Sequence, residues 1–165
     1  MLYETGRRSL ALLRLKYGVF NSPAPAILHR VGHSPESQSI EERDYSPEEY
    51  FHLTLTSEIT EGATGKVHDA KIEVQASDGR VYGCKGVVKV ALGNDQRQRL
   101  RHEYAIYRYM ALEKVNCVAS VYGLFEDVAN EATVLVMNHV GTSLATQPHY
   151  REHGEVSLTE EQKYA

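Results

Sequence analysis

The chain has 165 residues, of which 42% are hydrophobic and 24% are charged, and its formal net charge is -4 at pH 7. These values are typical of one folded globular domain. The negative charge argues against a nucleic-acid partner, because phosphate-backbone binding requires clustered lysine and arginine. No apolar run reaches the ~18 residues that crossing a bilayer requires. We therefore expect neither nucleic-acid nor membrane association.

Cysteine and histidine content argues against a metal site. The two cysteines, Cys84 and Cys117, do not have the spacing of metal ligands, and the eight histidines are not grouped as zinc ligands. A chain with two unpatterned cysteines is typical of a reduced compartment. The sequence therefore predicts an intracellular, cytoplasmic protein without a metal site.

Residues 1–50 differ in composition from the rest and are interpreted as an N-terminal extension. Leu10, Leu13 and Tyr17 have the spacing of one helical face, so a helix is predicted from Ser9 to Tyr17. From His33 onwards the chain is rich in Ser, Glu and Pro and poor in apolar residues. That composition predicts a mobile connector leading to the folded domain.

Three consecutive strands are predicted after this extension, over residues 51–59, 67–76 and 81–91. Their apolar residues alternate with polar ones, which is the pattern of half-buried strands. The Ser-Asp-Gly-Arg segment at 77–80 predicts a hairpin, because Asp-Gly readily adopts the positive φ of such turns. Gly83 and Gly86 predict a bulge or kink within the third strand.

A helix and two further strands complete the predicted domain. Asn94 or Asp95 is expected to cap the helix, whose apolar residues Leu100, Tyr104 and Tyr107 have helical spacing. Strands are predicted over 118–125 and 133–137, and a capping-box sequence at Thr159 predicts the start of a short C-terminal helix. The expected fold class is therefore α+β, with a five-stranded antiparallel sheet and one packed helix.

A glycine turn between the first two predicted strands is a candidate phosphate-binding element. Gly62 and Gly65 have no Cβ, so backbone amides there could approach the oxygens of a triphosphate. Val67 follows the turn, at the start of the second predicted strand. A plain hairpin turn also favours glycine, and this alternative stays open.

Lys89 and Glu103 form the second part of the candidate site. Lys89 lies among Val87, Val88 and Val90 in the third predicted strand, where an unpaired buried ammonium would be unfavourable. Glu103, on the following helix, is its predicted partner. In the alternative interpretation, Lys89 reaches solvent from an edge strand and Glu103 is a solvated helix carboxylate.

These motifs together resemble the amino-terminal lobe of a protein kinase, and residues 51–144 are similar to the divergent kinase-like proteins of filamentous fungi. The kinase pattern G-x-G-x-x-G-x-V occurs at 60–67 with Thr60 replacing the first glycine. The resemblance implies a small lobe over 51–141 and, over 142–165, a hinge-following segment and the start of a large-lobe helix. It implies ATP contacts from nine residues: Gly62, Gly65, Val67, Val87, Lys89, Glu103, Met137, Asn138 and Val140.

Individual roles follow from the same resemblance. Val87 would lie beneath adenine, Met137 at the rear of the pocket, and Lys89 against the α- and β-phosphates. The Asn138 carbonyl and the Val140 amide would hydrogen-bond the adenine edge. The parent activity implied is ATP-dependent phosphorylation of serine or threonine in protein.

The chain contains no H-R-D or D-F-G tripeptide, so the sequence assigns no catalytic residue and no metal ligand. ATP binding is expected to be weak or absent, magnesium is expected only with a missing large lobe, and no activity is expected from this chain alone. The expected partner is that large lobe, or a protein covering an exposed apolar face. Three alternatives stay open: a non-catalytic kinase-like interaction module, a small-molecule kinase-like fragment, and an unrelated α+β domain.

Overall fold

The computed structural model describes residues 10–15, 26–31, 46–115, 118–127 and 130–141. Within these ranges the chain forms seven strands and one long helix. The strands before the helix are β1 Leu10–Leu15, β2 Ala26–Arg30, β3 Tyr50–Gly62, β4 Gly65–Gln75 and β5 Val81–Leu92. Helix α1 spans Asn94–Leu112, and β6 Val121–Asp127 and β7 Ala132–Asn138 follow it.

The strands close into a mixed barrel in the order β1-β2-β6-β7-β5-β4-β3. Strand β1 pairs antiparallel with β2 and parallel with β3, and β2 pairs with β6 through His29 and Arg30. Closure leaves none of these strands with an open edge. The predicted five-stranded antiparallel sheet is therefore wrong, because two strands from the predicted extension complete a seven-stranded barrel.

The helix predicted from Ser9 to Tyr17 is also wrong, since Leu10–Leu15 is a strand. A short leucine-rich run satisfies helical and strand patterns equally well, and its partners decide between them. Here β2 and β3 pair with the backbone of β1 from both sides. Ala11 is fully buried in the barrel interior, and Leu13 packs against the same interior.

Alternate residues of the strands fill the barrel interior, and an arginine packs between its aromatic rings. The rings of Phe51 and Phe125 meet edge-on at 5.8 Å between centroids. The Arg30 guanidinium lies 4.8 Å from the Phe125 centroid and donates a hydrogen bond of 2.8 Å to the Tyr122 carbonyl. Burial lowers the pKa of Arg30. A Cβ at Gly123 would lie 2.3 Å from Arg30 Nη1, so any side chain there would displace the Arg30 guanidinium.

The hairpin predicted between β4 and β5 is confirmed. Gly79 has a φ of 80°, and the Ala76 amide donates to the Arg80 carbonyl at 2.8 Å. Asp78 Oδ1 accepts a hydrogen bond of 3.0 Å from the Arg80 amide. This tight turn fixes the register of β4 and β5, which continues without a break over their whole pairing.

The bulge predicted at Gly83 and Gly86 is wrong. Register shifts occur instead in β3, between Leu55 and Ser57 and between Glu58 and Thr60, and in β6 next to Gly123. Gly86 serves close packing: an added Cβ would lie 2.2 Å from Ile72 Cδ1. Its missing side chain therefore makes room for Ile72 in the interior rather than bending the strand.

Helix α1 packs on the outside of the barrel against β5, β6 and β7. Leu100 is its fully buried residue, and it packs with Ala91, Leu124, Leu135 and Met137. The predicted side-chain cap is wrong, because Gly93 precedes the first turn and no side-chain cap hydrogen bond forms there. Among the described residues, no helix is both long enough and apolar enough to cross a membrane.

Candidate ligand-binding face

The outer face of β4, β5 and β7 carries four of the predicted nucleotide-contacting side chains. Val67 pairs in register with Lys89, and Val87 pairs with Met137. Directly paired residues of neighbouring strands project to the same side of a sheet. Val88 alternates with these residues and is fully buried in the barrel interior. The four side chains therefore lie on the outer face, the side on which α1 packs.

Lys89 and Glu103 form an ion pair between this face and α1, as the sequence predicts. Lys89 Nζ donates a hydrogen bond to Glu103 Oε1, and each side chain is 21% exposed. Among the described residues this is the one hydrogen bond that the Lys89 ammonium makes. An ammonium has three N–H donors, so two remain for a ligand. The pair also ties the middle of α1 to β5.

The glycine turn connects β3 and β4 next to this pair. Gly65 has a φ of 118°, and an added Cβ would lie 2.2 Å from the Val90 carbonyl oxygen. Glycine at 65 is therefore required by backbone conformation and by packing against β5. Gly62 has open space where a Cβ would lie. The hairpin geometry accounts for Gly65 without a ligand, so phosphate contacts from this turn stay a prediction.

Asn138 and Val140 are placed differently from the other predicted contacts. The backbone amide of Asn138 donates to the Ser120 carbonyl at 2.9 Å. The side-chain Oδ1 of Asn138 accepts from the backbone amide of Ser120 at 2.8 Å. Val140 follows the end of β7 and is 68% exposed. Asn138 therefore ties β7 to the segment before β6. Hydrogen bonding of an adenine edge by these two residues stays a prediction.

A cleft of about 730 Å³ adjoins this face and was not predicted from the sequence. Neither Lys89 nor Glu103 lines it. Its charged and polar lining residues are Thr56, Asp69, Lys71, Lys85 and His139, and Gly83 and Gly86 contribute to its floor. The sequence indicated this cleft only through the alternation of Val67, Asp69 and Lys71 along β4, because every second residue of a strand lies on the same face of the sheet.

Asp69 is the centre of the polar contacts in this cleft. The Ser57 hydroxyl donates to Asp69 Oδ2 at 3.1 Å, and His139 Nε2 lies 3.8 Å from Asp69 Oδ1. The Thr56 hydroxyl donates to the Asp69 carbonyl at 3.2 Å. In the described ranges, no group of three or more His, Cys, Asp or Glu side chains is arranged to hold a metal ion.

No protein-family model matches this chain, and no curated protein matches it significantly. The resemblance to a protein kinase small lobe is wrong, because the described residues form a closed seven-stranded mixed barrel with one long helix and no family match supports a kinase. The Lys89–Glu103 pair is thus a feature of this barrel and carries no family assignment.

Proposed function

We propose that the outer face of β4 and β5 binds the phosphate groups of a nucleotide, with Lys89 as the anchoring cation. The observation that supports the proposal is the state of the Lys89 ammonium. Glu103 holds it at a defined place on the face, it is partly withdrawn from water, and two of its donors are not used by the described residues.

An ammonium held in this way suits a phosphate better than a freely moving surface lysine. Glu103 restricts the rotamers of Lys89, so less side-chain entropy is lost when a ligand binds. Partial burial lowers the effective dielectric and strengthens the attraction between ammonium and phosphate. The pair itself is electrically neutral, so the attraction acts on a phosphate that lies closer to the Lys89 ammonium than to the Glu103 carboxylate.

The surface beside Lys89 suits the base of the same ligand. Val67 and Val87 are half-buried and lie on the same face, Val67 directly opposite Lys89 on β4 and Val87 next to it along β5. Val87 is two residues from Lys89, which corresponds to about 6.6 Å along a strand. That separation lies within the length of one nucleotide, so a base could stack on the valines while its phosphates contact Lys89.

Thermal unfolding in the presence of ATP tests this proposal. ATP at roughly tenfold above its Kd should stabilise the wild-type fold by about 1.4 kcal/mol. Adenosine, which lacks phosphate, should stabilise it much less. Lys89→Met should lose the ATP effect relative to its own ligand-free baseline.

Arg99→Met is the matched control, because Arg99 is an exposed helix cation that makes no hydrogen bond or ion pair with the described residues. It removes the same charge and should keep the ATP effect. Equal ATP stabilisation of the wild type and Lys89→Met would overturn the proposal, and so would no stabilisation of the wild type at millimolar ATP. Isothermal titration of the same three proteins provides the affinities.

A further inference from the structure

We propose a second anion-binding position in the cleft, formed by Lys71 and Lys85 and independent of Lys89. It would take the phosphate or carboxylate group of a small ligand. Both lysines line the cleft and both are exposed.

Lys71 and Lys85 are direct cross-strand partners in the β4–β5 ladder. Like charges placed directly opposite each other destabilise a sheet unless something neutralises them. Lys71 Nζ lies 2.7 Å from Glu73 Oε1, so one of the two charges is already balanced. Lys85 has no hydrogen bond or ion pair with any described residue. One ammonium therefore stays available for an anion.

The cleft floor leaves room for such a group beside the lysines. Gly83 lies two residues from Lys85 on β5 and places no side chain on the sheet surface. An added Cβ at Gly83 would lie 3.7 Å from Glu73 Cγ and 3.8 Å from Lys71 Cε, so the paired side chains of Glu73 and Lys71 both border this surface. The ammonium of Lys71 and that of Lys85 can therefore approach the same bound anion.

The other charged groups in the cleft define which end an anion would use. Asp69 lies two residues from Lys71 on β4, accepts a hydrogen bond from Ser57 and faces His139. Its carboxylate would repel an anion, and so would the Glu73 carboxylate beside Lys71, which places the bound group nearest to Lys85. Lys89 is four residues from Lys85, or about 13 Å along the strand, it is paired with Glu103 on α1, and it does not line the cleft, so the two positions are separate.

Inorganic phosphate is the probe, and Lys89→Met protein is the background, because this variant removes the anion site proposed above. Thermal unfolding is measured in phosphate and in chloride at equal ionic strength, with acetate as a third arm that separates carboxylate from phosphate recognition. Phosphate or acetate should stabilise this protein more than chloride does. Adding Lys85→Gln to the Lys89→Met protein should weaken binding of the stabilising anion about tenfold, because one charge-assisted contact is lost.

Two further variants complete the test. Gly83→Leu fills the cleft without changing charge and should also weaken anion binding, whereas Arg99→Gln should leave it unchanged. Equal stabilisation by all three anions would overturn the inference, and so would an anion effect that Lys85→Gln leaves intact. Neither result depends on whether ATP binds at Lys89.

Discussion

A double-mutant cycle on Lys89 and Glu103 measures how strongly this pair holds α1 on the barrel. Each side chain is 21% exposed, so the pair is neither a solvated surface contact nor a fully buried one. Fully buried pairs cost 3–5 kcal/mol when one partner is removed, and exposed pairs contribute 0–1 kcal/mol. We expect Lys89→Met and Glu103→Leu each to lower the free energy of unfolding by about 1.5 kcal/mol.

The double variant should cost only about 1 kcal/mol, because it leaves no partly buried charge without its partner. The coupling energy is then about 2 kcal/mol, within the range for residues in direct contact. The assay is urea unfolding followed by circular dichroism, with the four free energies extrapolated to water.

The pair formed by Arg101 and Glu126 provides a matched comparison, since it also joins α1 to the barrel. The Arg101 side chain is 42% exposed, and we expect a coupling energy below about 1 kcal/mol. Additive effects of Lys89→Met and Glu103→Leu, within about 0.5 kcal/mol, would refute the reasoning. So would a double variant that is less stable than either single variant.

Three further predictions concern the turn, the interior and the helix. Gly65→Ala should lower the free energy of unfolding by at least about 2 kcal/mol, because Gly65 has a φ of 118° and the added Cβ would lie 2.2 Å from the Val90 carbonyl oxygen. Gly62→Ala, at which a Cβ would meet open space, should change the free energy of unfolding little. Burial lowers the pKa of His68 below its ordinary value of 6.5 in the folded state. The free energy of unfolding should therefore fall as the pH drops below 6.5, because the unfolded chain binds the proton more readily. His68→Gln should flatten this part of the pH dependence measured by urea unfolding. Leu100→Ala should cost about 2–5 kcal/mol, since Leu100 is fully buried between α1 and the barrel; a cost below about 1 kcal/mol in urea unfolding would contradict that packing.

Local patterns predicted the central part of the fold well. Strands β3, β4 and β5, helix α1 and strands β6 and β7 all lie close to their predicted positions. Each has a strong periodicity or a turn signal of its own, such as the Asp-Gly hairpin at 78–79. The Lys89–Glu103 pair was predicted because a lysine inside an apolar strand requires a nearby counter-charge.

Barrel closure could not be predicted in this way. Strand β1 pairs in parallel with β3, which is 40 residues later at Leu10 and Tyr50, and no local pattern records such a contact. The leucine-rich run at 10–15 fits a helix as well as a strand. Resemblance to a family with an open five-stranded sheet then favoured the wrong architecture for the whole chain.

The cleft escaped prediction for a related reason. Lys71 and Lys85 lie on opposite sides of a hairpin, and only the exact register places them opposite each other. A shift of one residue would have turned one of them to the other face of the sheet. The placement of Asn138 likewise depends on a contact with Ser120 that no motif indicates.

Nuclear magnetic resonance of isotopically labelled protein, titrated with ATP, tests nucleotide binding at Lys89 most directly. Backbone amide signals of Gly65, Val67, Val87 and Lys89 should move with a single saturation curve, and Lys89→Met should abolish the movement. Signals that stay unchanged at millimolar ATP, or that move only on the far side of the barrel, would contradict the account.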